Sequence, residues 1–208
     1  MYAAQGSPQF DAEIAEKGHL WMETKEDTLT EWKVIHTISE TTSRWVKVIA
    51  EAVRDDQGNT LEYWRVEKDD SIIILPLYRG AILLPRPFYR HGIGQHTWDL
   101  PGGRWDSRAD IKTAALSILA RELGLAETDV TGLSPISGTP WPVNSSFSNQ
   151  HLHGFVAEIA DSAVFPEDRG VERFATDHSG VAALLDRLSC LQCRCVVLEW
   201  AYRNAVFP

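Results

Sequence analysis

A chain of 208 residues with 44% hydrophobic and 24% charged side chains is long enough to bury a core, and it reads as one globular domain with an N-terminal elaboration. Its 29 acidic against 20 basic residues, a net charge of -9, exclude a nucleic-acid backbone as partner, because neutralising phosphates needs an excess of Lys and Arg; a small anionic ligand in a local basic pocket stays open. The longest apolar run, "SIIILPLY", is a strand length too short to span a bilayer, and "MYAAQGSPQF" lacks the regions of a signal peptide, so a cytoplasmic protein with no membrane partner is expected.

Residues 1–42 are polar and mixed, with a helix expected over "SPQFDAEIAEKGHLW", and they read as an N-terminal extension to a domain over 43–208. From Ser43 the texture changes. "SRWVKVIAEAV" and "LEYWRVEKD" alternate as strands around the turn "RDDQGNT". "SIIILPLY" and "AILLPRPF" form a second strand pair about Arg79-Gly80, and the unbroken apolar run of the first implies cover on both faces. "HTWDLPGGRW" is extended until Pro101 and two glycines turn it. A helix follows over about Ile111–Leu123, stopped by Gly124. "VTGLSPISG" and "HLHGFVAEIA" are two further strands about the loop "TPWPVNSSFSNQ", and from about Gly170 the chain reads as largely helical. This order predicts an α/β fold, a mixed sheet between helices, with an N-terminal extension bearing helix and strands.

Three cysteines crowd into "SCLQCRC". An odd count without a secretion signal argues against a disulfide framework. Zinc would need a fourth ligand, and the nearest histidine, His178, lies in a different stretch. The surrounding "VAALLDRLSCLQCRCVVLEWAY" is apolar at helical spacing, so Cys190, Cys193 and Cys195 read as packed helix residues.

The segment "LPGGRWDSRADIKTAALSILARELGL" resembles the Nudix box, G-x5-E-x7-R-E-U-x-E-E-x-G-U with U aliphatic. It aligns without a gap, with Gly103 as the opening glycine, Leu119 the inner aliphatic, Glu122 the last glutamate and Gly124-Leu125 the close. "WDLPGGR" is similar to the lead-in of ADP-ribose and nucleotide-sugar pyrophosphatases. Tyr89 and Arg90 in "RPFYRHGIGQHTW", and Pro140 in "TPWPVNSSFSNQHLHGFVA", resemble further segments of that subgroup. The likeness runs from about Trp45 to Tyr202. It implies a Nudix α/β/α sandwich, a homodimer formed through N-terminal strands, and a small nucleotide-derived ligand.

The box's chemistry is degenerate. In the family, helix carboxylates hold Mg²⁺ or Mn²⁺ on a pyrophosphate. Here the carboxylate positions are Ala109, Ile118 and Arg121, with Ser117 at the arginine, and only Glu122 keeps its kind. Arg121 and Glu122 together carry no net charge. Losing a metal's carboxylate ligands should cost more than the roughly 10–100-fold typical of disturbing a neighbour of a ligand, so metal-dependent hydrolysis is expected to be weak or lost, with Mg²⁺ or Mn²⁺ needed only by an active form.

Arg121 has two readings: its guanidinium pairs with a pyrophosphate in place of metal, or it faces solvent or a nearby acid. Arg90, Arg104, Trp105, Trp141 and Gln150 join it as expected ligand-binding residues; the two tryptophans are stacking candidates, although packing is the commoner use of Trp. Gln150 stands where the subgroup often has a glutamate. Glu122, with Asp106 as a possible second metal ligand and Glu167 or Asp168 as catalytic acids from a late loop, is the machinery of an active form. Asp110 is expected to cap the helix, and His151 and His153 to be structural. Three functions remain in order: a binder of a nucleoside diphosphate derivative, a pyrophosphatase with a rebuilt metal site, and a non-catalytic interaction module.

Overall fold

The computed structural model describes residues 31–207. The helix expected over 7–21 lies outside them. The chain forms two compact units, one whose described part is residues 31–36 and 51–63, the other residues 37–50 and 64–207. A three-stranded sheet is ordered β1 (Lys33–Thr42), β2 (Lys47–Arg54), β3 (Thr60–Glu67). Within the smaller unit, Asp55 closes the turn between β2 and β3 by accepting from Asn59 N at 2.7 Å, and Gly58 supplies a positive φ of 86°.

β1 occupies a stretch that reads in sequence as a polar extension. All ten of its residues are exposed, so it carries no inward-facing alternation to betray it.

The larger unit is built on a seven-stranded mixed sheet of order β10-β11-β4-β5-β12, with β8 on β4 and β9 on β11. These strands are β4 (Asp70–Tyr78), β5 (Ala81–Leu84), β8 (Gly102–Trp105), β9 (Val130–Pro135), β10 (Trp141–Pro142), β11 (His151–Ile159) and β12 (Glu172–Ala175). β4 and β11 run parallel, Ile73 opposite Gly154, and the other pairs are antiparallel. A hairpin of β6 (Phe88–Arg90) and β7 (Gln95–Thr97) stands apart.

Alternation along β4 sends its side chains to two different cores. Ile72 and Ile74 pack with Ala115, Ile118, Leu119 and Leu123 of α1 (Ile111–Leu123). Ile73 and Leu75 pack with α2 (His178–Arg187) through Val181 and Leu184, and with α3 (Leu191–Arg203) through Val196, Val197 and Trp200. That is the two-sided cover the apolar run required, and the architecture is helix, sheet, helix.

α1 begins where Asp110 accepts from Thr113 N at 2.8 Å. It ends at Gly124, whose φ of 74° is left-handed; a β-carbon there would also lie 2.8 Å from Pro166 Cδ. The region after Gly170 is less helical than its sequence suggests, since β12 precedes both helices and pairs with β5. Four residues are too few to establish a period of two against the helical pattern that follows. Among the described residues no helix is long and apolar enough to cross a membrane.

Candidate functional site

Gly102 and Gly103 lie on β8, with Gly103 opposite Ile72. The bare backbone of Gly103 lets α1 come close, and that of Gly102 lets β8 lie against β4. A β-carbon on Gly103 would lie 3.2 Å from Ile118 Cδ1 and 3.3 Å from Arg121 Nη2, and one on Gly102 would lie 3.0 Å from Ile72 O. Ile118 is only 3% exposed and belongs to the core beneath the helix. A position where the Nudix pattern places a glutamate is therefore committed to packing.

Glu122 is half-buried, its side chain 14% exposed, and both of its oxygens are engaged. Gly102 N donates to Oε2 at 3.2 Å and Arg121 Nη2 to Oε1 at 2.6 Å. The same Nη2 donates to Gly102 O at 2.9 Å. One guanidinium thus ties the helix to the glycine turn and neutralises Glu122. The arrangement agrees with the second reading of Arg121, which pairs with a nearby acid and has a side chain 59% exposed; its Nε and Nη1 make no protein hydrogen bond among the described residues.

Three more arginines meet there. Arg86 comes from the β5–β6 connection, Arg90 from β6, and Arg169 from the 3-10 turn Glu167–Arg169, where its Nη1 donates to Arg121 O at 2.7 Å, at the carbonyl end of α1. With Arg121 and Glu122 they line a cavity of about 480 Å³, which Phe88 and Tyr89 share. Four arginines and one glutamate give +4 - 1 = +3 in a protein whose overall charge is -9. Within this lining, Arg90 is held by Asp99, Nε to Oδ2 2.6 Å.

The donor set does not fit Mg²⁺ or Mn²⁺. These hard cations take several oxygens, usually carboxylates, whereas the cavity offers a single carboxylate already paired, among four positive charges. Among the described residues, the one group of three side chains placed to hold a metal ion is elsewhere, at Asp99, Cys190 and Cys193.

Of the residues expected at the site, Glu122, Arg121 and Arg90 line this cavity, and the others do not. Arg104 lies over the Trp45 ring at 4.2 Å and pairs with Asp69 at 3.3 Å. Trp105 donates from Nε1 to Ala109 O at 2.9 Å and packs edge-on to His153. Asp106 pairs with Arg108, whose hydrogen bonds hold its carboxyl down at about 2. Trp141 borders a separate cavity of about 420 Å³, with Leu152 and Leu198. Gln150 is buried. Glu167 and Asp168 are exposed; Asp168 contributes only its carbonyl, which accepts from Arg86 at 3.4 Å. His153 contacts Asp70 at 3.1 Å.

Arg86 and Arg169 carried no distinguishing signal in the sequence, since neither belongs to a motif. Phe88 and Tyr89 take the aromatic place at the cavity that Trp105 and Trp141 were expected to fill. The cysteines divide as well: Cys190 caps α3, Cys193 is buried within it, and Cys195 is exposed. A hydrogen bond between their sulfurs pulls the Cys190 thiol down to about 6, and the same contact together with burial pushes the Cys193 thiol up.

No family model matches the chain, and no curated protein matches it. Among solved structures, it is similar to a protein described as an ADP compounds hydrolase, with a TM-score of 0.68 over 86% of this chain and 98% of that one. The fold is Nudix-like. At 15% identity the likeness concerns the fold alone.

Proposed function

We propose that the protein binds a nucleoside diphosphate derivative in the arginine-lined cavity without Mg²⁺ or Mn²⁺, and that hydrolysis through the degenerate box is weak or lost. The observation that carries this reading is the convergence of Arg86, Arg90, Arg121 and Arg169 on one cavity around a neutralised Glu122. Guanidinium groups recognise phosphate oxygens through paired N–H donors and remain charged at any working pH. The fixed cations thus do the neutralising that divalent ions do in the resembled enzymes. Phe88 and Tyr89, both exposed at the rim, supply faces for a nucleobase. Hydrolysis also needs a base to activate water, and the acids Asp106, Glu167 and Asp168 do not line the cavity.

The test is a heat-shift and turnover assay with ADP-ribose and nucleotide-sugars, each with Mg²⁺, Mn²⁺ or EDTA. Stabilisation that is unchanged by EDTA, with no release of AMP or another nucleoside monophosphate, is the expected result. Metal-dependent release would overturn it.

The reading extends to a homodimer through β1, whose Val34, Ile35 and Ile38 are exposed. Ile35→Asp with Ile38→Asp should shift the sedimentation coefficient from that of a dimer to that of a monomer. A wild-type chain that sediments as a monomer removes this extension.

A further inference from the structure

We propose that Asp99, Cys190 and Cys193 form a zinc site. Cys190-Leu191-Gln192-Cys193 opens α3, with Cys190 as the N-cap residue, and the Cys190 side chain makes no capping hydrogen bond. Three residues on, nearly one helical turn, Cys193 is buried. A parallel bridge between Trp98 and Leu188 lays the segment before the glycine turn alongside the start of α3. This brings a carboxylate oxygen of Asp99 and the two sulfurs within 4.8 Å of one another.

The state of Asp99 points to a cation. Its Oδ2 accepts from Arg90 Nε at 2.6 Å and from Thr97 Oγ1 at 3.0 Å. Its Oδ1 is buried with no hydrogen-bond partner, on a side chain only 10% exposed. An ionised oxygen removed from water and left unpaired is costly, and such atoms are rare in folded proteins unless an ion or water completes them. A disulfide between the two cysteines would leave that oxygen as it is; a metal bound by all three groups would satisfy it.

The donor chemistry selects zinc. Two thiolates with one carboxylate suit a borderline cation, whereas Cu⁺ favours sulfur alone and Mg²⁺ oxygen alone. Tetrahedral zinc sets sulfur at about 2.3 Å and oxygen at about 2.0–2.2 Å, so the three side chains need close by only about 1 Å. Two thiolates, Asp99, Zn²⁺ and Arg90 sum to -2 - 1 + 2 + 1 = 0, so the ion also balances the charge of the pocket. All three ligand residues border a cavity of about 600 Å³, which leaves the fourth coordination position open to water or an exogenous ligand. Arg90 and Gly102 border both this cavity and the arginine-lined one.

The test uses the full chain without nucleotide, so that its outcome is separate from that of the proposed function. The reduced protein is stripped with a chelator, dialysed, and titrated with Zn²⁺ and with Co²⁺ as a spectroscopic substitute. The expected result is about one zinc per chain and a thiolate-to-cobalt charge-transfer band. Asp99→Asn and Cys190→Ser should weaken zinc binding about 100-fold or more, beyond the range for residues that merely support a ligand. Cys195→Ser should bind as the wild type does, because Cys195 borders a different cavity, with Trp141. Circular dichroism of each variant separates loss of the ligand from loss of the fold. The proposal is overturned if the folded, reduced protein takes up no zinc, if cobalt shows no charge-transfer band, or if Asp99→Asn binds as tightly as the wild type. A Cys190–Cys193 disulfide that forms in air, in a chain that takes no zinc once reduced, overturns it equally.

Discussion

Replacing Arg121 by alanine tests the arginine cavity where its two roles meet. In the unliganded protein Arg121 spends one nitrogen, Nη2, on Gly102 O and Glu122, leaving Nε and Nη1 for a ligand. A hydrogen bond to a charged group contributes roughly 1.5–3 kcal/mol when enclosed. The side chain is 59% exposed, so solvent screening brings the loss to about 1–1.5 kcal/mol, or roughly tenfold in Kd. The lining charge falls from +3 to +2, so the salt dependence of binding should weaken in parallel. The substitution also releases Glu122 Oε1. Calorimetric titration of ADP-ribose into the wild type and Arg121→Ala, each with EDTA and with Mg²⁺, reads all of this. The expected pattern is a wild-type Kd indifferent to EDTA and a variant Kd raised about tenfold. An unchanged Kd in the variant, or wild-type binding that vanishes in EDTA, refutes the reasoning.

Placing the resembled pattern's glutamate by Ile118→Glu should not create a metal site: it puts an unpaired carboxylate in the core beneath α1 and should cost about 3–5 kcal/mol, read as a fall in Tm of roughly 10 °C. A stable variant with Mg²⁺-dependent turnover would show that the helix can rotate its box face outward. Gly124→Ala forces a side chain into left-handed backbone and against Pro166, for a loss of about 2 kcal/mol or more in urea denaturation; an unchanged midpoint contradicts the cap geometry. Asp110 and Asp177 are held below the usual carboxylate value, chiefly by the N–H groups of Thr113 and Gly180. Their depressed folded pKa values mean that the stability they contribute is present above the unfolded value near 3.8 and is lost as pH falls through the lower folded values. Asn, which also caps, should flatten the acid limb of a Tm–pH curve in the double variant; identical limbs would show that the caps do not titrate with folding.

Much of this protein was legible from local pattern. α1 spans the stretch its apolar spacing and Gly124 delimit, and β4 carries apolar residues on both faces because two helical layers need them. These are short-range properties, set by backbone geometry and side-chain period. The bounds of β1 and the existence of β12 escaped the same reasoning, the first because neither face of β1 is buried, the second because β12 is four residues long. The sequence likewise shows Ala109, Ile118 and Arg121 where the resembled pattern has carboxylates, though not which groups gather beside Glu122. That gathering is a matter of convergence. Arg86, Arg90, Arg121 and Arg169 come from four separate segments and have no common spacing, so only the folded chain brings their charges together. Asp99 meets Cys190 and Cys193 in the same way, across a bridge between Trp98 and Leu188 that no local pattern encodes. Periodicity reports the side of an element that is buried; the distance between groups remote in the chain depends on how the layers pack.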